Sequence, residues 1–223
     1  MVSLMKYKYF LFDLDGTISE SAEGIRESLE QAILRLNKPL PKLDDYTLYI
    51  GPPLIDTFKN VCHFNDEESH TGVEYYREYY NTKGKYRNKL YKGIDEVLKN
   101  LKRDGAKIAV CSSKFEKFAE EIVSYLDVRQ YFDAVCGSTI DGSRKDKKDL
   151  IPYAVDALGG DILKDCTEIV MIGDTFFDAK GARTCGIDFV GVEYGYGTKE
   201  SMIDEGAVNF ASDTAELYDI LSK

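Results

Sequence analysis

The sequence predicts an α/β protein, a doubly wound three-layer parallel sheet of Rossmann-like type with an α-helical cap inserted after the first strand. Three observations carry this prediction. From about residue 88 onward, short apolar runs alternate with helical stretches of about 10 to 15 residues, as parallel β-α-β units require. Those runs are apolar along their whole length, which suits strands covered on both faces. Between the first such run and the rest lies a long stretch with helical periodicity only.

Taken in order, the run from Tyr7 to Phe12, with Lys6 and Lys8 at its start, reads as a short buried strand. It ends in Asp13-Leu14-Asp15-Gly16-Thr17. A helix follows, because Ile25, Leu29, Ile33 and Leu36 recur every three or four residues behind Glu20, Glu23 and Glu27. Asn37-Lys38-Pro39 and Pro41 end it. Gly51-Pro52-Pro53 breaks the chain again and starts a helix through Leu54, Ile55 and Phe58, with a rigid bend expected to face the site. Residues 66–82 read as a third helix, with Tyr75, Tyr76, Tyr79 and Tyr80 at helical spacing. No strand is expected between residues 19 and 87, so the predicted division is a core of 1–18 plus 88–223 and a helical cap of 19–87. In the core the expected helices cover 93–103, 115–126, 149–158, 176–184 and 214–221, and the strands 107–112, 132–137, 168–173, 187–192 and 208–210.

The net charge of -10 excludes a nucleic-acid binder, which needs clustered Lys and Arg, and disfavours an anionic membrane surface. No apolar run approaches the roughly 20 residues of a membrane span, and the first residues lack the apolar core of a signal peptide. Cys62, Cys111, Cys136, Cys166 and Cys185 are widely spaced and form no C-x-x-C pair, so they read as buried thiols in a reducing cytoplasm. His63 and His70 suit no zinc spacing and are expected on the surface.

The chemistry gathers at strand ends. Asp13 and Asp15 end the first strand, at the edge where open α/β sheets hold ligands. The strand 107–112 ends in Ser112-Ser113-Lys114, a hydroxyl and free N–H groups suited to an anion. The strand 168–173 ends in Gly173-Asp174, with Asp178 four residues on. Between these lies the basic run Arg144-Lys145-Asp146-Lys147-Lys148, a candidate phosphate partner. Several carboxylates in one place repel unless a divalent cation joins them, and oxygen ligands without His or Cys suggest Mg²⁺. A cation, a lysine and N–H groups around one anionic spot describe a phosphoryl-transfer site acting on a small phosphorylated metabolite.

The series Asp13-Leu14-Asp15-Gly16-Thr17, Ser112, a lysine, then Gly173-Asp174-x-x-x-Asp178 resembles the haloacid dehalogenase superfamily of phosphatases, in its phosphoglycolate phosphatase-like branch with a helical cap. The resemblance implies that Asp13 is the nucleophile, forming an aspartyl-phosphate, and that Asp15 is the general acid and base. It implies Mg²⁺ held by Asp13, the Asp15 carbonyl, Asp174 and Asp178, and a phosphoryl group held by Ser112 and Ser113, with Gly16 and Thr17 beside it. Relatives usually carry Lys-Pro-x-Pro where this chain has no proline before Pro152. Lys147 is therefore the expected site lysine by its place before the helix, with Lys145 as the alternative. The same residues would serve a phosphomutase, whereas a regulatory switch phosphorylated on Asp13 would need neither Asp15 nor a cap. The substrate (phosphoglycolate, a nucleotide or a sugar phosphate) and the choice of monomer or homodimer stay open.

Overall fold

A computed structural model describes residues 5–223; residues 1–4, the start of the predicted core, lie outside the described residues. The elements run β1 (Tyr9–Phe12), β2 (Ser19–Glu20), α1 (Ala22–Arg35), α2 (Leu54–Asn60), α3 (Asp66–Thr82), β3 (Lys89–Leu90) and α4 (Ile94–Arg103). They continue with β4 (Lys107–Phe115), α5 (Glu116–Tyr125), β5 (Ala134–Ser138), α6 (Lys147–Ala157), β6 (Ile169–Gly173), α7 (Phe176–Cys185), β7 (Asp188–Val192), α8 (Lys199–Asp204), β8 (Asn209–Ala211) and α9 (Thr214–Leu221).

Six strands form one parallel sheet in the order β5-β4-β1-β6-β7-β8. β1 lies between β4 and β6, with Phe12 opposite both Val110 and Ile172. The chain winds outward from β1 in both directions, so a crevice opens at its C-terminal end, where Asp13 begins. The pleat sends alternate residues to opposite faces. Phe10 and Phe12 join the core shared with Leu98, Ile122 and Leu217, from α4, α5 and α9. Tyr9 and Leu11 join a second core with Ile151, Ala154 and Ala182, from α6 and α7. Both faces are thus covered, as the unbroken apolar runs require.

α1, α2 and α3 form a helical insertion between β2 and β3. α3 opens with a reciprocal capping box between Asn65 and Glu68, and Tyr76 stacks on Tyr80 at 5.3 Å between ring centroids. Two expectations need correction here. The stretch from residue 19 is not free of strand: Ser19 and Glu20 pair antiparallel with Leu90 and Lys89, tying the two ends of the insertion together. A two-residue strand has no periodicity to read. The helix expected from 149 begins at Lys147, with Asp146 in extended conformation before it. Pro152 inside that helix has no N–H for the Lys148 carbonyl, and the Cys185 thiol donates to it instead at 3.7 Å.

Among the described residues no helix is long and apolar enough to cross a membrane. All five cysteines are free; Cys111 and Cys136 are buried as neighbours on adjacent strands, while the other three are part-exposed rather than buried.

Candidate active site

Asp13 leaves β1 with its backbone N–H still donating to the Ile172 carbonyl at 2.9 Å, so its side chain emerges at a fixed point on the sheet edge. Its Oδ1 accepts from Lys147 Nζ at 2.7 Å. Lys147 also lies 2.6 Å from Asp178 Oδ1 and donates to the Cys111 carbonyl at 2.6 Å. Burial opposes the charge of that ammonium, but Asp13 and Asp178 outweigh it, and its pKa is raised. Lys145, the alternative, lies in the cavity wall and has no ion pair among the described residues. Of these two lysines, Lys147 is the one that reaches Asp13 and Asp178. Its stem passes α7 at Gly181, where a Cβ would overlap the Lys147 Cβ.

Asp174 is fully buried at the end of β6. Thr17 Oγ1 donates to its Oδ1 at 3.1 Å and the Tyr196 backbone N–H to its Oδ2 at 2.8 Å. Gly16 turns the chain at φ +89°, and a Cβ there would overlap the Asp174 carboxylate. Gly16 and Thr17 are not among the residues that line the cavity at Asp13. Thr17 is fully buried and holds Asp174, while Gly16 leaves the room its carboxylate fills. Asp178 accepts from the Thr175 hydroxyl at 2.7 Å and from its backbone N–H at 3.2 Å, forming a capping box for α7.

Asp13, Asp174 and Asp178 each offer an oxygen, and these oxygens lie within 4.8 Å of one another. Burial pushes the Asp13 carboxyl up to about 6, against the pull of Lys147. Burial, then the charges of Asp178 and Asp13, push Asp174 well above the usual carboxylate range. One ammonium among three buried carboxylates leaves an excess of negative charge, and all-oxygen donors fit a hard divalent cation.

Ser112 is almost fully buried at the site, its Oγ accepting from the Lys114 backbone N–H at 3.3 Å, and Ser113 lines the same cavity. β4 runs three residues past its expected end, and its register against β5 slips between Cys111 and Phe115. This irregular end carries a residue that sequence reasoning passed over. Lys114 Nζ lies 2.7 Å from Asp15 Oδ2 and 4.7 Å from the centre of the Tyr80 ring. The other Asp15 oxygen, Oδ1, is buried without a hydrogen-bond partner among the described residues.

Asp13, Asp15, Ser112, Lys114, Lys147 and Asp178 form the floor of a cavity of about 410 Å³ whose opposite wall is the helical insertion. The wall includes Gly51, Pro52 and Pro53, as expected of that bend, together with Tyr76 and Tyr80, which are packed in the core and face the cavity as well. His63 and His70 are exposed, His70 at the cavity's edge. A second missed element is Tyr194-Gly195-Tyr196-Gly197, whose glycines let the chain wrap closely around Asp174.

The family described as haloacid dehalogenase-like hydrolase matches residues 10–192. The chain is 34% identical over 217 residues to a 5'-nucleotidase of Pseudomonas aeruginosa, covering 97% of this chain and 96% of the relative. It is 33% identical to a tyrosine-protein kinase of Mycobacterium tuberculosis, over 94% of this chain and 70% of the kinase. A phosphoglycolate phosphatase of Aquifex aeolicus is 28% identical, over 95% of this chain and 97% of its own. Among solved structures, a predicted phosphatase from Clostridium acetobutylicum superimposes with a TM-score of 0.88 at 35% identity, covering 96% of this chain and 97% of that one.

Proposed function

The chain belongs to the haloacid dehalogenase-like hydrolases and is a phosphatase, and from that premise we propose that it hydrolyses a small phosphomonoester, with Mg²⁺, through an aspartyl-phosphate on Asp13. The observation that carries this reading is the cluster of three buried carboxylates around one buried lysine at the C-terminal end of β1.

Lys147 holds Asp13 Oδ1, which leaves Oδ2 to attack phosphorus. As the ester bond breaks, the leaving oxygen takes a proton from Asp15. Asp15 then takes a proton from the water that attacks the acyl phosphate, releasing inorganic phosphate and freeing Asp13. Lys114 holds Asp15 Oδ2, so the oxygen without a partner is the one free to carry the proton. Ser112 and Ser113 cradle the phosphoryl oxygens. Asp13, the Asp15 carbonyl, Asp174 and Asp178 would hold the cation, which supplies charge neutralisation for the dianionic group. Residues 19–87 act as a cap over a core of 1–18 plus 88–223, excluding water while the reaction proceeds. The five free thiols suit a reducing cytoplasm.

Phosphate release from a panel of small phosphomonoesters, with and without Mg²⁺, tests this reading. Turnover should require the cation, and Asp13→Asn should lower kcat by about three orders of magnitude or more while the protein stays folded. Retained activity in Asp13→Asn would overturn the nucleophile. Isomerisation of a sugar phosphate without phosphate release would mark a mutase, which shares every core residue. No release from any ester by folded, Mg²⁺-loaded protein would favour an aspartate-phosphorylated regulatory protein.

A further inference from the structure

The chain has eight arginines. Seven of them lie within ion-pair distance of a carboxylate. Arg77 has no such partner among the described residues, and it lines the cavity that contains Asp13 and Asp15. It projects from α3, in the wall opposite the carboxylates, with its guanidinium 6.0 Å from the centre of the Phe115 ring. It is half-buried, and that burial works against its charge, offset in part by Glu74 one turn earlier on the same helix. Of the cavity's lysines, Lys147 and Lys114 each already hold a carboxylate, while Lys145, on the loop before α6, shares with Arg77 the lack of an ion pair among the described residues.

A half-buried guanidinium without an ion-pair partner is only partly compensated for its burial, and its planar fork of N–H donors matches carboxylate and phosphate oxygens. In a protein of net charge -10, a doubly anionic substrate meets general repulsion, so a local cation left free in the cavity has clear value. The phosphoryl group being transferred belongs at Asp13, on the floor. Arg77 stands on the leaving-group side.

We propose that Arg77 receives a second anionic group, a carboxylate or a second phosphate, carried by the leaving alcohol, and so sets which phosphomonoesters are preferred. This rests on the phosphatase reading above. It assigns the substrate to the class of phosphorylated hydroxy acids or bisphosphates, ahead of nucleoside monophosphates and other esters with neutral leaving groups.

The test compares kcat/KM of wild type, Arg77→Met and Arg77→Lys on four esters. These are 2-phosphoglycolate, fructose 1,6-bisphosphate, adenosine 5'-monophosphate and p-nitrophenyl phosphate. Wild type should prefer one of the two doubly anionic esters, and which of the two it prefers names the anion. Arg77→Met should lower the ratio of that kcat/KM to the value for p-nitrophenyl phosphate by about 10- to 100-fold, mainly through KM. Arg77→Lys should recover part of the loss. An unchanged ratio in Arg77→Met, or a wild-type preference for adenosine 5'-monophosphate, overturns the proposal. If wild type hydrolyses none of the esters, the phosphatase reading has failed. Calorimetric binding of 2-phosphoglycolate and fructose 1,6-bisphosphate to wild type and Arg77→Met then decides the role of Arg77: weaker binding in the variant upholds it, and equal or absent binding overturns it.

Discussion

Asp13, Asp174 and Asp178 converge on one buried point, yet Lys147 bonds only the first and third of them. Asp174 is held by a hydroxyl and a backbone N–H, neither of which carries a full charge. The consequence is a pH dependence with a definite sign. The Asp13 carboxyl is raised from 3.8 to about 6 and Asp174 is raised as well, so the native chain without metal binds protons that the unfolded chain has released. The stability this brings is complete below about pH 4 and is lost as pH rises through about 6, a loss from Asp13 of about 3 kcal/mol at most. A divalent cation replaces those protons. Scanning calorimetry in a chelator should therefore show Tm falling across this window, and added Mg²⁺ should raise Tm more at pH 7.5 than at pH 5. Equal shifts at both pH values would argue against a cation at these carboxylates. The carboxylates themselves were legible in the sequence, because Asp13 and Asp174 close apolar runs and Asp178 follows Asp174 by four residues. Lys114 was not, because a lysine after two serines looks like ordinary helix-opening polarity until Asp15 is seen 2.7 Å away.

At the level of elements, the packing of α6 against α7 fixes the lysine. Gly181 lies inside α7, where helix propensity alone would favour alanine by about 1 kcal/mol. The same methyl would overlap the Lys147 Cβ, an atom close to the backbone of α6 that cannot swing aside. Pushing α6 away costs more than the propensity returns, since overpacking a filled core costs about 1–3 kcal/mol. Gly181→Ala should thus lower Tm and reduce kcat by about tenfold, with KM changed less, because Lys147 and its grip on Asp13 move together. A variant with raised Tm and full kcat would show that α6 is free to shift. Apart from the short α8, which was not expected, the strands and helices of the core were legible from their alternation to within a few residues at each end. The tie between β2 and β3 and the loop 194–197 were not. Each depends on pairing with a distant segment, and neither carries a local pattern.

At the scale of the whole molecule, the question is how the helical insertion is coupled to the carboxylate site. The insertion's helices were readable, but the contact that joins them to the site was hidden. Tyr196 makes it: its backbone N–H donates to Asp174, while its hydroxyl accepts from the backbone N–H groups of Ser21 and Ala22 at 2.6 and 2.9 Å. Those two groups open α1, where a helix has unpaired donors and a positive end. Tyr196→Phe removes the acceptor and keeps the backbone bond to Asp174, so it separates the two jobs. Losing the acceptor for two N–H groups should cost about 2 kcal/mol, or roughly 4–8 °C in Tm for a chain of this size. If the insertion serves as a cap, its closed position also becomes less populated, and the apparent affinity for substrate falls in proportion. The variant should therefore bind Mg²⁺ as wild type does and turn over p-nitrophenyl phosphate with similar kcat, but with KM raised several-fold. A change in Mg²⁺ affinity with KM unaltered would mean that Tyr196 serves Asp174 alone and that the insertion is positioned independently of the site.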